Sequence, residues 1–360
     1  MSTPLFLAID GGNSKTDVVL GTDDGNVLSF LRGPRSSPHI LGIPGTARLL
    51  NVLVEQARAA AGLPAGTKLA QASVFLAGAD LPVEVFRLQA VIAGLGWAEV
   101  STVDNDTFAL LRAGTANPDA IAVVCGAGIN CVGRRADGRT ARFPSLGPIS
   151  GDWGGGHHLA ALALWHAARG EDGRGPATAL CDAVAAHFGQ STVEQVSAAL
   201  HLGEIPTERV EELSEVLFAV AASGDPVAAG VVAQQADEIV ALVRVAGARL
   251  GLLSVPHAVV LGGGVLRARH PLLHDAVVAG IGQVAPLASV DVVTDPPVIG
   301  AALRALDALA APETFGQLDG RVAPAAVEAA LREALRRPPT MTAAVVPVEP
   351  VPSGASVVVS

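Results

Sequence analysis

The chain has 360 residues, of which 50% are hydrophobic and 3% aromatic, and its formal net charge is −10. This length predicts two domains, each with a core made mostly of Ala, Val and Leu. The acidic balance argues against a nucleic acid or an anionic membrane surface as a partner, because both require a basic face. The sequence has no leader pattern, no apolar run of the roughly 20 residues that cross a bilayer, and no disulfide framework among its three cysteines. We therefore predict a reduced, soluble, cytoplasmic protein.

The elements predicted in chain order begin with three short strands, PLFLAI, DVVLG and NVLSFL. A glycine turn joins the first two, and TDDGN joins the second to the third, since Asp-Gly between apolar runs is typical of a hairpin. A helix follows at TARLLNVLVEQARAAAGL, where apolar residues recur at helical spacing. Next come the strand ASVFLAG, the helix VEVFRLQAVIAGLG, the strand EVSTV and a helix that begins near Asp106.

Residues 120–143 repeat this opening layout. An apolar strand runs into a glycine turn at Gly126 and Gly128, a second strand follows, and ADGR leads to a third. Helices are predicted over roughly 157–251, followed by HAVVLGGG as strand and turn, a helix, the strand SVDVVT and the helix PPVIGAALRALDALA. The order βββαβαβα thus occurs twice, with an all-helical insertion in the second copy, which indicates a duplicated α/β unit.

The two copies predict an α/β protein of two domains with a central cleft, because a glycine turn from each copy would face the space between them. We place the first domain at 1–117 and the second, with its helical insertion, at 118–311. Residues 312–360 form a C-terminal extension, in which AAVEAALREALRR has the pattern of an amphipathic helix. The Pro-rich tail PPTMTAAVVPVEPVPSGASVVVS is predicted to be disordered.

The sequence DGGNSKT at 10–16 is the first candidate binding motif. It matches neither a P-loop nor a dinucleotide fingerprint, yet its glycines would let phosphate oxygens approach the backbone and its later side chains add donors. A carboxylate such as Asp10 has a place beside phosphates when Mg2+ lies between them. The alternative is an ordinary tight turn with a capping Asp. The phosphate-binding candidates are Gly11, Gly12, Asn13, Ser14, Lys15 and Thr16.

Two further motifs lie at the ends of predicted strands. VVCGAGINC at 123–131 is the second glycine turn, which would hold phosphates from the opposite side or would be an ordinary hairpin. TVDNDTFALLRAG at 102–114 puts Asp104 and Asp106 just before a helix, where ligand groups collect in open α/β sheets. One of these carboxylates is a candidate general base, and the other a candidate helix cap.

Two glycine-rich stretches complete the set. GPISGDWGGGHHLA surrounds Asp152, which would accept hydrogen bonds from a polyol or cap the following helix. His157 and His158 in the same stretch are not predicted to be metal ligands, because no partner has suitable spacing. VVLGGGVL at 259–266 ends a strand in three glycines, which would let a flat ring such as adenine lie close to the backbone or would serve a tight turn.

In order, spacing and residue types, these five motifs resemble those of the BadF/BadG/BcrA/BcrD-type ATPase family, and within it the N-acetylglucosamine kinases of the actin, Hsp70 and sugar kinase superfamily. The resemblance covers about residues 4–310. It implies a duplicated ribonuclease H-like (actin-like ATPase) fold with the nucleotide in a central cleft. It also implies a homodimeric kinase that uses ATP and Mg2+ to phosphorylate N-acetylglucosamine, glucosamine or N-acetylmuramic acid at the C6 hydroxyl.

The resemblance also implies roles for individual residues. Asp106 falls on the catalytic base, and Asp10 would organise Mg2+ through water. The second phosphate loop would comprise Gly126, Ala127 and Gly128. The adenosine motif would comprise Gly262, Gly263 and Gly264. The sugar would be contacted by Ser37, Asn105, Asn130 and Asp152.

The sequence departs from the family pattern at several of these positions. Ala127 and Ile129 stand where the second loop usually carries hydroxyl groups, Trp153 stands in place of a Glu, and Ser37 in place of an Asn. Two other functions stay open: an ATPase that activates a partner protein, and a catalytically silent sugar-binding regulator. The iron–sulfur activators of the family carry an Asn-Asp-Lys-Cys stretch that is absent from this sequence, and Cys125 alone does not replace it.

Overall fold

The structure is a computed structural model that describes residues 3–310, 322–336 and 342–343. The first half of the chain is built on one sheet with three helices. Its strands are β1 (Leu5–Gly11), β2 (Lys15–Thr22), β3 (Val27–Pro34), β4 (Leu69–Leu76) and β5 (Ala98–Asn105). Its helices are α1 (Pro38–Ala60), α2 (Pro82–Gly94) and α3 (Asp106–Gly114).

The second half is built on another sheet. Its strands are β6 (Ala120–Cys125), β7 (Ile129–Arg134), β8 (Thr140–Arg142), β9 (His257–Gly262) and β10 (Ala288–Val292). Its helices are α4 (Gly156–Glu171), α5 (Leu180–His187), α6 (Val193–His201), α7 (Leu213–Ala222), α8 (Pro226–Leu250), α9 (Gly264–Arg267), α10 (Pro271–Val284) and α11 (Pro297–Ala310). Two 3-10 turns lie at Gly147–Ser150 and Thr207–Glu212.

The two sheets share one topology. The strand order is β3-β2-β1-β4-β5 in the first and β8-β7-β6-β9-β10 in the second, and the first sheet has one further strand, β11 (Thr342–Ala343), beside β3. In each sheet the first strand pairs antiparallel with its hairpin partner and parallel with the strand beyond the helix. This confirms the predicted duplication and its all-helical insertion, α4 to α8. The domain division after residue 117 stays a prediction.

A shared core lies between the two sheets. It contains buried residues of β1 and β6 together with those of α3 and α11. Although α11 follows the second sheet in the chain, it packs against β1, β4 and α3 of the first half. The approach of α11 to α3 is close, because a Cβ atom added to Gly300 would lie 1.8 Å from the carbonyl oxygen of Ala109. Other apolar clusters cover the outer faces of the sheets.

Helix α8 is long and apolar enough to cross a membrane by length and mean hydropathy, the only such helix in the part of the chain that the structure describes. Here it packs against α10, α7 and the strands β6, β7 and β8. Gln235 in its middle is fully buried and accepts a hydrogen bond from the amide of Gly155 at 2.9 Å. These contacts are those of a core helix in this fold.

Some boundaries differ from the sequence prediction. Helix α1 was predicted to begin at residue 46, but it begins at Pro38, and its first part is kinked at Gly42, where φ is +65°. The predicted amphipathic helix is confirmed as α12 (Ala325–Arg336), which buries Leu331 and Leu335. Within the tail predicted to be disordered, β11 (Thr342–Ala343) pairs with β3, so the prediction is wrong for these two residues. The rest of that tail lies outside the described residues.

Candidate active site

The first glycine turn connects β1 to β2 at the end of the central strand. The amide of Gly12 donates to the carbonyl of Lys15 at 2.8 Å, which closes the turn and leaves Asn13 and Ser14 exposed at its tip. Gly11 is required by packing, because a Cβ atom there would lie 2.3 Å from the Ser36 hydroxyl oxygen. The tip residues therefore supply the backbone amides that are accessible to a ligand.

Two of the predicted phosphate donors are already engaged inside the protein. The hydroxyl of the buried Thr16 donates to the carbonyl of Pro34 at 2.6 Å and lies 2.8 Å from the Ser36 hydroxyl. The Lys15 ammonium is paired with Asp17. We therefore leave Thr16 out of the proposed phosphate site, whereas the partly exposed Lys15 remains a candidate.

Asp10 is the last polar side chain of β1 before the turn, and it is 9% exposed. It forms no ion pair with any described residue, because Lys15 and Arg32 both pair with Asp17. Burial, followed by the charges of Asp106 and Asp17, raises the pKa of Asp10 to about 8. A buried carboxylate next to other carboxylates is stabilised by a nearby cation, so this position fits Mg2+.

The second glycine turn is held by the start of α4. The amides of Gly156 and His157 donate to the carbonyls of Gly126 and Ala127 at 2.7 and 3.0 Å. A Cβ atom on Gly155 would lie 2.6 Å from Cα of Gly128, so only glycine permits this contact. The turn therefore presents the exposed Ala127 and Gly128 on a fixed support.

The three glycines at 262–264 lie against this second turn. Gly263 has φ +87°, and a Cβ atom there would lie 2.3 Å from the carbonyl oxygen of Cys125 and 2.7 Å from the amide nitrogen of Gly126. Gly262 is needed for packing against Leu110, whereas the space around Gly264 is open. The structure thus brings together the second phosphate motif and the adenosine motif. No hydrogen bond between described residues joins either of them to the first turn.

The two candidate bases at the end of β5 have different surroundings. Asp104 accepts two hydrogen bonds from the Arg142 guanidinium, at 2.6 and 2.8 Å. Asp106 is the first residue of α3, is partly exposed, and has no ion-pair partner among the described residues. Burial raises its pKa to about 6, against hydrogen bonds that lower it. Asp106 is therefore the carboxylate available to a ligand.

Neither Asp104 nor Asp106 caps α3. The cap is Asn105, whose side-chain oxygen accepts from the amide of Thr107 at 2.9 Å. The alternative in which one of the two Asp residues is the cap is therefore wrong, because Asn105 lies one residue ahead of the helix with the extended backbone that a cap requires.

Asn105 also links the two halves of the chain. Its side-chain nitrogen donates to Asp80 at 2.7 Å, and its oxygen accepts from the Asn130 side chain at 3.2 Å. Burial, followed by the charge of Asp106, raises the pKa of Asp80 to about 7. Asp80 belongs to none of the five sequence motifs, although it follows the end of β4 by four residues, at the same end of the sheet as Asp10 and Asp106.

His39, Asp80 and Glu84 form the one group of three metal-type ligands found among the described residues, with ligand atoms within 4.8 Å of one another. Hydrogen bonds account for this arrangement. Glu84 accepts from the amides of Asp80 and Leu81 at 3.1 and 2.8 Å and lies 3.1 Å from the His39 ring nitrogen. Nearby, the Ser37 hydroxyl is buried without a hydrogen-bond partner among the described residues. Its capacity for hydrogen bonding is therefore unused among the described residues.

Asp152 lies on the second half and does not cap α4, because that helix begins at Gly156 with no side-chain cap. Its Oδ2 accepts from the Gly147 amide and the Ser150 hydroxyl at 2.9 and 2.7 Å. Asp152 and Asn130 line one cavity of about 210 Å³. The other lining residues are Ile129, Phe143, Ser145, Ser150, Gly151, Trp153, Glu238, Ala241, Leu242 and Val245.

The histidines and the cysteine of these motifs have structural partners. His158 accepts from the Gly154 amide at 2.9 Å and contacts the Trp153 ring edge to face, and His157 lies 3.0 Å from Glu211. Cys125 is fully buried, and burial raises the pKa of its thiol to about 12. This thiol is inaccessible to a cluster bound at the surface.

The sequence and the fold of this chain match those of known proteins. The model of the BadF/BadG/BcrA/BcrD ATPase family matches residues 7–305. The chain belongs to this family. An N-acetylmuramic acid/N-acetylglucosamine kinase of Clostridium acetobutylicum is 27% identical over 72% of this chain and 85% of its own. An N-acetyl-D-glucosamine kinase of Dictyostelium discoideum is 25% identical over 85% of this chain and 99% of its own.

Solved structures share the fold of this family member. A provisionally assigned N-acetylglucosamine kinase from Chromobacterium violaceum has a TM-score of 0.63 and 22% identity, and covers 84% of this chain and 98% of its own. One from Porphyromonas gingivalis has a TM-score of 0.55 and 17% identity, with 82% and 96% covered. These likenesses establish the actin-like ATPase fold that the sequence motifs predicted.

Proposed function

We propose that this protein is an ATP-dependent amino-sugar kinase that phosphorylates N-acetylglucosamine or a related sugar, namely glucosamine or N-acetylmuramic acid, at the C6 hydroxyl. The observation that carries the proposal is the Asp106 carboxylate. It lies partly exposed at the start of α3 without an ion-pair partner among the described residues, its pKa is raised to about 6, and its charge acts on the buried Asp10. A base and a metal-type carboxylate side by side are what phosphoryl transfer to a hydroxyl requires.

Asp106 would accept the proton of the attacking hydroxyl while the oxygen forms its bond to the γ-phosphorus and the bond to the ADP oxygen breaks. The exposed amides at the tip of the first turn and those of the second turn would hold the phosphates in line with that hydroxyl. Asp10 would hold Mg2+ through water, and the bound ion neutralises charge on the phosphates. Positioning and charge compensation are thus the contributions of this chain.

The proposed contacts divide the cleft into three parts. For the phosphates they are Gly11, Gly12, Asn13, Ser14, Lys15, Gly126, Ala127 and Gly128. For adenosine they are Gly262, Gly263 and Gly264. For the sugar they are Ser37, Asn105, Asn130 and Asp152. The buried, unpartnered hydroxyl of Ser37 supports its place in this last set, because such a group is stabilised by a ligand that supplies a hydrogen bond.

The curated relatives support the choice of substrate class, since both are named as kinases of N-acetylated amino sugars. Two alternatives compete with it: an ATPase that activates a partner protein, and a sugar-binding regulator without catalysis. Ala127 and Ile129 bring no hydroxyl to the second turn, which is the feature that favours the regulator. The presence of both Asp10 and Asp106 favours the kinase.

The deciding experiment measures ADP release from MgATP with N-acetylglucosamine, glucosamine, N-acetylmuramic acid, N-acetylmannosamine, glucose or no sugar. We expect stimulation by an amino sugar, and phosphorus NMR of the product to place the phosphate on C6. Substantial release that is equal in every sample would contradict the kinase and favour the partner-activating ATPase. Sugar binding by calorimetry without any turnover would favour the regulator. Light scattering and cell fractionation test the predicted homodimer and cytoplasmic location.

A further inference from the structure

We propose that the cavity next to Asn130 binds a positively charged substituent of the sugar, and that Glu238 makes the enzyme select a free amino sugar over its N-acetylated form. The inference rests on the proposed function, whose substrate class it narrows. It concerns Glu238 on α8, far along the chain from the five sequence motifs.

The cavity is acidic. Its lining includes the carboxylates of Asp152 and Glu238 but no Lys, Arg or His side chain. Glu238 is partly buried and has no hydrogen-bond or ion-pair partner among the described residues. A carboxylate that is partly removed from water without a partner is stabilised when a cation binds beside it. Arg142, the neighbour of Phe143 in the chain, is paired with Asp104, and Arg249 donates to the carbonyl of Arg142 while its guanidinium stacks on the ring of Phe143.

The remaining lining groups also suit an ammonium group on a sugar ring. The Ser145 hydroxyl is buried without a partner among the described residues, and Ser145 has φ +50°, a backbone conformation that is uncommon for a residue other than glycine. Trp153 supplies aromatic surface, which attracts cations and packs against sugar rings, whereas the ring of Phe143 already holds the Arg249 guanidinium 4.7 Å from its centroid. The cavity of about 210 Å³ is large enough for a substituent rather than for a whole nucleotide.

The cavity is connected to the proposed catalytic base. Asn130 lines it and donates to Asn105 at 3.2 Å, and Asn105 directly precedes Asp106. A sugar whose hydroxyl lies at Asp106 therefore has its ring within reach of Asn130 and a substituent directed to the cavity. The two carboxylates would repel the acidic side chain of N-acetylmuramic acid, so this sugar should be the poorest of the three substrates.

The test compares kcat/KM for glucosamine, N-acetylglucosamine and N-acetylmuramic acid in the wild type, in Glu238→Gln and in Asp237→Asn. Asp237 is an exposed neighbour on the same helix that does not line the cavity, so it is the matched control. We expect the wild type to prefer glucosamine at least tenfold. Glu238→Gln should lower kcat/KM for glucosamine about tenfold, as the loss of one charged hydrogen bond does. It should change the value for N-acetylglucosamine less than twofold, and Asp237→Asn should change neither.

A wild type that prefers N-acetylglucosamine, or a Glu238→Gln variant that loses both sugars equally, would overturn the inference. Calorimetric binding of glucosamine to the wild type and to Glu238→Gln separates it from the proposed function. Weaker glucosamine binding in the variant without any phosphorylation would contradict the kinase and support the subsite. Turnover with equal glucosamine affinity in both proteins would support the kinase and contradict the subsite.

Discussion

Asp104 and Arg142 connect the two sheets through a two-point ion pair, with oxygen to nitrogen distances of 2.6 and 2.8 Å. Asp104 is the last residue but one of β5 in the first half, and Arg142 is the last residue of β8 in the second. The same guanidinium lies 4.4 Å from the ring centroid of Phe108 on α3. One side chain thus joins both sheets to the helix that begins with Asp106.

Because both partners are about 70% buried, their pair should stabilise the protein more than a surface pair does. We expect Arg142→Met and Asp104→Asn each to lower the free energy of unfolding by about 1–3 kcal/mol. Urea denaturation of both single variants and of the double variant measures this. If the two losses simply add, the residues do not interact and the pair contributes nothing.

Asp106→Asn should abolish most sugar-dependent turnover, since the variant retains the shape of the side chain but cannot accept a proton. We expect kcat to fall by about 10²- to 10⁴-fold, with ATP affinity nearly unchanged by calorimetry. Asp104→Asn is the matched control at the same end of β5, and should lower kcat less than tenfold. A variant at Asp106 with near wild-type kcat would remove it from the chemistry.

The pH dependence of kcat offers a separate check on Asp106. Only the deprotonated carboxylate can accept a proton, and the pKa of Asp106 is about 6. Activity should therefore fall as the pH falls below about 6, whereas an Asp with an ordinary pKa would keep its activity to lower pH. Rates measured over the acidic range with saturating MgATP and sugar, at constant ionic strength, distinguish a raised pKa of Asp106 from an ordinary one.

The raised pKa of Asp10 predicts a stability that depends on pH and on Mg2+. The folded state holds the proton of Asp10 up to about pH 8, whereas the unfolded state releases it near the ordinary aspartate pKa of 3.8. Without Mg2+, this group therefore destabilises the folded protein progressively as the pH rises from about 4 to about 8. Over this pH range, the melting temperature of Asp10→Asn should decline less with rising pH than that of the wild type.

Mg2+ supplies the matching control for Asp10. Above about pH 8 the carboxylate is charged, so added Mg2+ should raise the melting temperature of the wild type more than that of Asp10→Asn. Equal responses in the two proteins would show that Asp10 holds no metal.

Gly300 tests the contact between α11 and α3. A Cβ atom there would lie 1.8 Å from the Ala109 carbonyl oxygen, so Gly300→Ala should separate the helices and cost about 3 kcal/mol or more. Gly282 lies within α10 with no atom within 4 Å of an added Cβ. Gly282→Ala should therefore stabilise the protein by about 0.5–1 kcal/mol. Thermal unfolding measures both effects. If the two substitutions changed the melting temperature in the same direction, the result would contradict this packing.

The sequence predicted those parts of the fold that depend on neighbouring residues. The strands, the glycine turns and the duplication follow from apolar runs that end in glycine, as at Gly11 and Gly126. The start of α1 was missed because Gly42 and Pro44 interrupt the helical pattern that tertiary contacts restore. The pairing of β11 with β3 was missed because it joins residues over 300 positions apart.

In the candidate site, too, the sequence predicted what depends on neighbouring residues and missed what depends on distant contacts. The motifs indicated Asp10, which stands at a strand end before two glycines, and Asp106, which stands between a strand and a helix, whereas Asn130 was implied by the family resemblance. They could not separate Asp104 from Asp106, because the partner that occupies Asp104 is Arg142, on the other sheet. Glu238 carries no local signal, because nothing in the sequence of α8 indicates which side faces a cavity.

The packing of α11 against the first half has a consequence for synthesis on the ribosome. Helix α11 fills the core that covers β1, β4 and α3, yet it is made only after the whole second sheet. The first sheet, although five of its strands are made by Asn105, lacks the part of its core that α11 supplies until residue 310 has been translated. We expect an N-terminal fragment released before that point to expose apolar surface of this core and to aggregate, because the two halves share one helix that is made late.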